Sequence, residues 1–336
     1  MNIKRALIID GSYMIHRALH VPEIYDLKNS NGKRTGGIFQ FMRSMAFEIK
    51  NFKDGNYYPI VTFDAGLSNR RIAIYPNYKK RLDKKTLDED FRQNGDSWDE
   101  DIKKKYLEDQ EYVMEYRTQR GDVIGILQKL GIPILMFDGW EGDDLIYICS
   151  KLIPESVIVT DDKDLQQLLA PNVKVRRPRK GDTIEYETYQ KTANDPDMRK
   201  FVIEKAISGD ASDNIPQAAQ GVGAKTAKLI ADIMVEHPDS WMEDIAESKN
   251  RYVKKFLDEE KNPDAIKIFN RNMELVDLSR VEITDSIREL ISAEIAGAKK
   301  PDFLAIAPKL AEFEIKEVDP NELVTLINGL YKNLIS

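Results

Sequence analysis

Short apolar runs alternate with amphipathic segments through the first half of the chain. Residues 6–9, 58–63, 132–137, 157–160 and 173–175 are predicted to be buried strands. The segments between them repeat apolar residues at helical spacing, as Leu145, Ile148 and Cys149 do. A repeated order of strand and helix predicts an α/β fold with a mostly parallel central sheet flanked by helices.

Acidic residues follow four of the predicted strands, at the point where each strand ends. They are Asp10, Asp64, Glu141 with Asp143 and Asp144, and Asp162 with Asp164. A helix N-terminus favours one or two nearby acids because its N–H groups and dipole attract negative charge. Capping does not explain acids at four strand exits, all on the edge of the sheet where ligands bind. The pattern predicts that a cationic group lies among them.

Composition limits the classes of protein to which the chain can belong. Its 336 residues, 42% of them hydrophobic, suffice for one large domain or two packed ones. The single cysteine, Cys149, excludes an internal disulfide framework and favours a reducing cytoplasm. The net charge of −7 argues against a simple basic protein that coats nucleic acid. No segment predicts a membrane span or an N-terminal signal.

The histidines do not predict a metal or acid–base centre. The chain has three of them, and His16 and His20 share the i, i+4 spacing of some metal ligands. We interpret this pair as a partly exposed face of a helix.

Two segments depart from the strand–helix pattern. Residues 67–121 are highly charged, with weak helical periodicity, and so long a connection predicts a functional lid. After about residue 188 helices dominate, and Gly221-Val222-Gly223 precedes a helix that begins near Ala224. Such a turn can present backbone N–H groups to a phosphate. A lone Gly-x-Gly more often marks only a tight turn.

A series of short motifs runs in order along residues 3–278. The motifs are residues 8–12, 61–64, 75–81, 140–144, 160–165, 208–216, 221–227 and 271–278. Their order and spacing resemble the structure-specific 5′ nucleases. This family includes flap endonucleases, the 5′-nuclease domain of bacterial DNA polymerase I and stand-alone phage 5′ exonucleases. A chain without a fused polymerase resembles the phage proteins more than a bacterial polymerase domain, and a phage protein would work in the host cytoplasm.

The resemblance implies a site for two divalent metal ions. The first set of ligands would be Asp10, Asp64, Glu141, Asp143 and Asp144, and the second would be Asp162, Asp164, Asp210 and Asp213. Lys79 and Arg81 match basic residues that lie near the scissile phosphate in the family. No acid of the family pattern is missing, so the resemblance implies an active enzyme.

The resemblance also implies a domain organisation. Residues 1–187 would form a PIN-like nuclease core, with residues 67–121 as a helical arch. Residues 188–290 would form a helical subdomain that binds duplex DNA, with a helix-hairpin-helix-like motif at 201–234. Its phosphate-binding loop would be Gly221, Val222, Gly223, Ala224, Lys225 and Thr226, with a K⁺ ion. Residues 291–336 would be a helical tail.

The implied reaction is Mg²⁺-dependent hydrolysis of 5′ ends or flaps in branched, nicked or RNA-primed duplex DNA. Acids crowded on one rim repel one another by about 4 kcal/mol per pair at ~4 Å, so they need cations between them. Mg²⁺ prefers oxygen ligands, and Mn²⁺ can replace it. The expected partners are DNA and RNA–DNA hybrids, with single-strand binding protein or a sliding clamp as candidate protein partners. The chain is expected to be a monomer.

Three other functions remain open at this point. A PIN-type ribonuclease also places acids on a parallel sheet rim, although residues 210–227 and the long insert count against it. A non-catalytic protein that binds DNA junctions would need only the duplex-binding loop, and the complete set of acids counts against it. A Mg²⁺ phosphatase would carry a second Asp two residues after Asp10, where this chain has Ser12.

Overall fold

The structure is a computed structural model that describes residues 3–80, 84–193 and 197–335. Contacts within the chain divide it into two compact units. Unit 1 comprises Met1–Ala65, Phe91–Tyr186 and Ile283–Ser336. Unit 2 comprises Gly66–Asp90 and Glu187–Glu282. No helix in the described part of the chain is long and apolar enough to cross a membrane.

A six-stranded sheet forms the centre of unit 1. Its strands are β1 (Arg5–Asp10), β2 (Tyr58–Thr62), β3 (Ile134–Leu135), β4 (Glu155–Val159), β5 (Val173–Arg177) and β6 (Asp182–Ile184). Their order across the sheet is β3-β2-β1-β4-β5-β6. The first five are parallel, and β6 pairs antiparallel with β5. The predicted parallel sheet is confirmed. β6 is an additional strand that was not predicted, because its residues do not form an apolar run.

The register of the sheet places the acidic strand exits at one edge. Asp10 pairs with Thr62, and Ile9 pairs with Val159. β1, β2 and β4 therefore end side by side, with their carboxyl ends on the same edge. Their interior residues are almost fully buried, so the sheet is a rigid support for that edge.

Helices flank the sheet and make up most of unit 2. They are α1 (Gly11–Leu19), α2 (Pro22–Tyr25), α3 (Gly36–Phe52), α4 (Asn69–Ile74), α5 (Lys84–Asn94), α6 (Glu100–Lys129), α7 (Gly142–Leu152), α8 (Tyr186–Thr192), α9 (Met198–Ser208), α10 (Ala224–Glu236), α11 (Trp241–Glu247), α12 (Arg251–Lys254), α13 (Ala265–Val276), α14 (Asp285–Ala296), α15 (Phe303–Glu312) and α16 (Pro320–Ile335).

The described part of the charged insert is largely helical, as its weak periodicity suggested. α6 is a single helix of 30 residues, and it continues through the apolar segment near residue 123. Phe91, Trp98 and Tyr106 pack together at its outer end, with ring centroids 4.5–5.4 Å apart. At its inner end the buried Gln119 side chain accepts the N–H groups of Gly37 and Ile38. Gln119 thus caps α3 and anchors α6 to it.

The two compact units are discontinuous in sequence, whereas the sequence predicts three consecutive domains. Residues 283–336 belong to unit 1, where Ile291, Ile306 and Ile327 bury the apolar faces of α14, α15 and α16. α4 belongs to unit 2, because Arg70 and Arg71 donate hydrogen bonds to backbone carbonyl groups at the end of α13. Packing of amphipathic helices therefore decides which segments associate.

Candidate functional site

Asp10 is the last residue of β1 and occupies the N-cap position of α1. Its Oδ1 accepts the Tyr13 N–H at 2.9 Å, and its Oδ2 accepts the Thr160 hydroxyl at 3.0 Å. Only 6% of the residue is exposed. Burial, with the nearby charges of Asp64 and Asp162, raises the pKa of Asp10 from 3.8 to about 7. A cation beside Asp10 would restore its ionised form.

Asp64 follows β2 and is bound by the start of α7. Its Oδ1 accepts the Gly142 N–H at 2.7 Å, and its own N–H donates to Ser12 Oγ at 3.1 Å. A Cβ atom on Gly142 would lie 3.2 Å from Asp64 Oδ1, so this approach favours glycine. Asp64 therefore caps α7 from a neighbouring strand.

The three acids at the start of α7 are not explained by capping. Glu141 occupies the N-cap position, yet its side chain makes no capping hydrogen bond. Glu141 is 3% exposed and Asp144 is 1% exposed, and Asp143 is partly exposed. Two buried carboxyl groups at a helix start that Asp64 already caps are consistent with ligand binding rather than helix stabilisation.

Thr160 connects the acids of β1 to those that follow β4. Its Oγ1 donates to Asp10 and accepts the Asp162 N–H at 3.0 Å. Asp162 Oδ1 in turn accepts the Asp164 N–H at 2.8 Å. Asp162 is exposed and Asp164 partly exposed, so both carboxyl groups lie at the solvent side of the rim. Thr160 begins the motif at residues 160–165, but it was not among the predicted site residues.

Asp161 has a positioning role that the sequence did not predict. Its Oδ2 accepts the Tyr13 hydroxyl at 2.5 Å and the Arg179 N–H at 2.9 Å. Tyr13 also binds Asp10 through its backbone N–H. One residue of α1 therefore holds both the β1 exit and the β4 exit in place.

The inner end of α6 lies against the same rim. Arg120 Nη1 donates to the Asp64 carbonyl at 3.0 Å, and its guanidinium lies 5.5 Å from the Tyr116 ring centroid. The Tyr116 ring stacks on His16 with centroids 4.0 Å apart. His16 and His20 both contact the Tyr112 hydroxyl. The i, i+4 pair therefore helps to attach α6 to α1.

The donors on this rim suit a hard divalent cation. All are carboxyl oxygens, which Mg²⁺ and Mn²⁺ accept. In residues 3–80, 84–193 and 197–335, no three acidic, histidine or cysteine side chains are close enough to enclose a metal ion by themselves. Mg²⁺ usually keeps several waters and binds one or two carboxylates together with substrate phosphate. The oxygen donors of the rim are therefore of the type that Mg²⁺ binds.

Lys79 lies in unit 2, where it is held against Asp213. Its N–H donates to the Asp213 carbonyl at 2.8 Å, and its ammonium lies 3.9 Å from Asp213 Oδ1. The buried Tyr78 donates its hydroxyl to Asp213 Oδ2 at 3.2 Å. Lys79 adopts a left-handed φ of 49°, a conformation that this docking must stabilise. Arg81, the other basic residue of the prediction, lies outside the described residues.

Asp210 is also in unit 2 and is paired with a lysine. Its Oδ2 lies 2.8 Å from Lys205 Nζ, and its Oδ1 accepts the Ser212 N–H at 2.8 Å. Partial burial opposes ionisation, but Lys205 and Ser212 overcome it and lower the pKa of Asp210 to about 2. The carboxyl group is therefore ionised throughout the neutral range. The predicted metal ligands, including Asp210 and Asp213, stay predictions.

The Gly-x-Gly turn of unit 2 precedes α10 as the sequence predicted. Gly221 has a left-handed φ of 78°, and Val222 is fully buried beneath the turn. Gly223 is the N-cap residue of α10 and has no side chain to cap it, and a Cβ there would meet nothing within 4 Å. Ala224 and Lys225 are exposed at the first turn of the helix, and Thr226 is partly exposed. The turn leaves room for a phosphate group.

Comparison with protein families gives a match over most of unit 1. A family model described as "5'-3' exonuclease, N-terminal resolvase-like domain" matches residues 5–195, more than half of the 336 residues. A protein named 5'-3' exonuclease from Aquifex aeolicus is 29% identical over 327 residues, which cover 94% of each chain. DNA polymerase I of Borreliella burgdorferi is 29% identical over 236 residues, which cover 67% of this chain and 22% of the polymerase.

Two solved structures have a similar fold. A T5 5′-exonuclease with divalent metal ions (zinc) bound has a TM-score of 0.57 and 20% identity, with 92% of this chain and 98% of that chain covered. Flap endonuclease-1 from Methanococcus jannaschii has a TM-score of 0.55 and 16% identity, with 99% and 93% covered. These similarities confirm the predicted fold class, a mostly parallel sheet flanked by helices with a helical C-terminal region.

Proposed function

Because the chain belongs to the 5'-3' exonuclease family, we propose that it hydrolyses phosphodiester bonds at 5′ ends or flaps of branched, nicked or RNA-primed duplex DNA. The observation that carries this proposal is the rim of unit 1. There Asp10, Asp64 and Asp162 lie close enough for the charges of Asp64 and Asp162 to raise the pKa of Asp10. Such crowding of acids is unfavourable unless cations are bound, and it supports a metal-dependent reaction.

We propose that the acids of unit 1 hold divalent cations, Mg²⁺ in the cell and Mn²⁺ as a substitute. Asp10, Asp64, Glu141, Asp143 and Asp144 would hold the first ion, some of them through its bound waters, and Asp162 and Asp164 would hold the second. Asp210 and Asp213 of unit 2 stay predicted ligands of the second ion. When bound, these cations would activate the attacking water and offset the negative charge of the phosphate. The carboxyl groups serve as ligands and do not exchange protons with the substrate.

The surrounding residues fix the direction of the carboxyl oxygens. Thr160 and the Tyr13 N–H each bind one oxygen of Asp10, and the Gly142 N–H binds one oxygen of Asp64. Since in-line displacement at phosphorus tolerates little misalignment, these bonds would preserve the ligand geometry between turnovers. Arg120 attaches α6 to the same rim through the Asp64 carbonyl, which supports a role for the insert in substrate binding.

Unit 2 would hold the duplex part of the substrate. The exposed Gly221–Gly223 turn and the first N–H groups of α10 suit a backbone phosphate, and a K⁺ ion at this turn is part of the proposal. Lys79 would bind a phosphate near the cut. Such contacts position the substrate without reading its bases.

One assay separates this proposal from its alternatives. The protein is incubated with a 5′-flap DNA, a nicked RNA-primed duplex and a single-stranded RNA, first with Mg²⁺ and then with EDTA. We expect Mg²⁺-dependent 5′ cleavage of the first two substrates. Preferred cleavage of the single-stranded RNA would favour a PIN-type ribonuclease, and flap binding without any cleavage would favour a junction-binding protein.

Gly142→Ala tests the position of Asp64. The new Cβ would lie 3.2 Å from Asp64 Oδ1 and shift that carboxyl group by a few tenths of an ångström. We expect flap cleavage at saturating substrate to fall roughly 10-fold, because small misplacements of reacting groups are costly. The melting temperature should change little. Gly125→Ala in α6 is the matched control, since a Cβ there meets nothing within 4 Å. Equal cleavage by both variants would exclude a role for the Gly142 contact.

A further inference from the structure

Tyr116 lies on the face of α6 that meets the rim of unit 1. Its ring is nearly parallel to the His16 ring, with an interplanar angle of 13° and centroids 4.0 Å apart. Arg120 is one helical turn further on, and its guanidinium lies 5.5 Å from the Tyr116 centroid, within the range of a cation–π contact. These contacts place the Tyr116 ring firmly between α1 and the inner end of α6.

The hydroxyl group of Tyr116 is hydrogen-bonded to Ser12 and to Arg120. Burial raises the pKa of Tyr116, and both hydrogen bonds oppose the rise, as bonds from donors to a phenol oxygen do. Ser12 can donate its proton, because its bond to the Asp64 N–H uses only its oxygen. The Tyr116 oxygen therefore accepts a hydrogen bond from each of the two residues.

These bonds form a closed loop around the backbone of Asp64. Ser12 Oγ accepts the Asp64 N–H at 3.1 Å, and Arg120 Nη1 donates to the Asp64 carbonyl at 3.0 Å. Both residues then meet at the Tyr116 hydroxyl. Ser12 is only 7% exposed, so water does not readily replace a partner that it loses. The Tyr116 hydroxyl thus joins the two groups that hold the Asp64 backbone.

The position of the Asp64 carboxyl group depends on this backbone. One of its oxygens, Oδ1, is fixed by the Gly142 N–H at 2.7 Å. A single bond of this kind does not fix the direction of the whole group, which also follows any shift of the backbone. Residues that orient a metal ligand in this indirect way commonly change metal affinity or activity by roughly 10- to 100-fold when they are replaced.

We propose that Tyr116 is a positioning residue that couples the attachment of α6 to the metal-binding position of Asp64. The inference rests on the proposed function, in which Asp64 helps to hold a divalent cation, and extends it to a residue outside the set of acids. Tyr116 acts through Ser12 and Arg120. Its hydroxyl group, rather than its aromatic ring, carries the effect.

The test uses Tyr116→Phe, which loses the hydroxyl group and keeps the ring that stacks on His16. Mn²⁺ is titrated into the protein without DNA, and free Mn²⁺ is followed by electron paramagnetic resonance. The binding that Asp64→Asn removes is assigned to the rim. We expect Tyr116→Phe to weaken this binding about 10-fold. Flap cleavage should need about 10-fold more Mg²⁺ to reach half its maximal rate, whereas the maximal rate itself should change little.

Tyr112→Phe is the matched control. Tyr112 lies one turn before Tyr116 on α6, and its hydroxyl group contacts His16 Nδ1 at 2.6 Å and His20 Nδ1 at 3.3 Å. This variant should bind Mn²⁺ like the wild type. Ser12→Ala should weaken binding, and adding Tyr116→Phe to it should cause no further loss, because both changes interrupt the same loop. Melting curves should show that all variants are folded.

Three results would overturn the inference. They are wild-type Mn²⁺ affinity in Tyr116→Phe, an equal loss in Tyr112→Phe, and additive losses in the double variant with Ser12→Ala. The proposed function is tested separately by the wild type. A wild type that neither binds Mn²⁺ through Asp64 nor cleaves the flap would contradict the metal site itself. If the wild type does both and Tyr116→Phe behaves identically, only the coupling through Tyr116 is wrong.

Discussion

Asp10→Asn is expected to impair cleavage strongly and, at the same time, to stabilise the metal-free protein at pH 8. Burial and neighbouring acids raise the pKa of Asp10 from 3.8 to about 7. An acid whose pKa is higher in the folded state than in the unfolded state destabilises the fold when it ionises. For Asp10 this destabilisation begins as the pH rises past about 4 and reaches its full size above about 7. The pKa difference corresponds to roughly 4 kcal/mol, an upper bound on the gain. Cleavage should fall roughly 10²- to 10³-fold.

The stability change is measured by thermal unfolding in EDTA at pH 8 and at pH 4. The gain should be present at pH 8 and mostly lost at pH 4, where Asp10 of the folded wild type is protonated and the pH is close to the unfolded pKa. Adding Mg²⁺ should raise the melting temperature of the wild type more than that of the variant. Glu48→Gln is the matched control: Glu48 is 2% exposed and pairs with Arg176 at 2.9 Å. It should lose stability and keep cleavage. A destabilised Asp10→Asn protein would contradict the account.

Asp162→Asn is expected to keep flap binding and lose cleavage by roughly 10²-fold or more. Asp162 is exposed, and its N–H bond to Thr160 does not involve its side chain. Its Oδ1 accepts the Asp164 N–H, which an Asn oxygen can also accept. The fold should therefore be unchanged, and only a charge on the rim is removed.

Binding of the Asp162→Asn variant is measured in EDTA and cleavage in Mg²⁺. Asp138→Asn is the control, because Asp138 is an exposed acid after β3 that is not among the predicted ligands. It should cleave like the wild type. A parallel loss of binding and cleavage in Asp162→Asn would mean that Asp162 supports the structure of the rim rather than the reaction.

Most of the sheet was predictable because its strands are buried on both faces. Residues 6–9 and 58–63 are mostly apolar runs. In a repeated strand–helix order, such runs are typical of the strands of a parallel sheet that is covered on both faces. β6 escaped prediction because its three residues, Asp182–Ile184, are partly exposed and carry no apolar pattern. The grouping of 66–90 with 187–282 depends on contacts between distant segments, which a local pattern does not encode.

The acids of the rim were predictable for a different reason. In a parallel sheet, every strand exit points to the same edge, so Asp10, Asp64 and Asp162 could be placed together from their positions in the chain. The residues that orient them could not. Thr160 is a single hydroxyl at a strand end, and Asp161 is one acid among several in its loop, so neither stands out before its partners are known.

The most direct test of the account is the dependence of flap cleavage on metal concentration. A 5′-labelled flap duplex is cleaved under single-turnover conditions at increasing Mg²⁺, with EDTA as the zero point. The account predicts no product in EDTA and a rate that rises at low Mg²⁺ with an order approaching two, as expected for two metal ions. Cleavage in EDTA, or a rate independent of Mg²⁺, would contradict the central claim that the rim of unit 1 is a divalent-metal phosphodiesterase site.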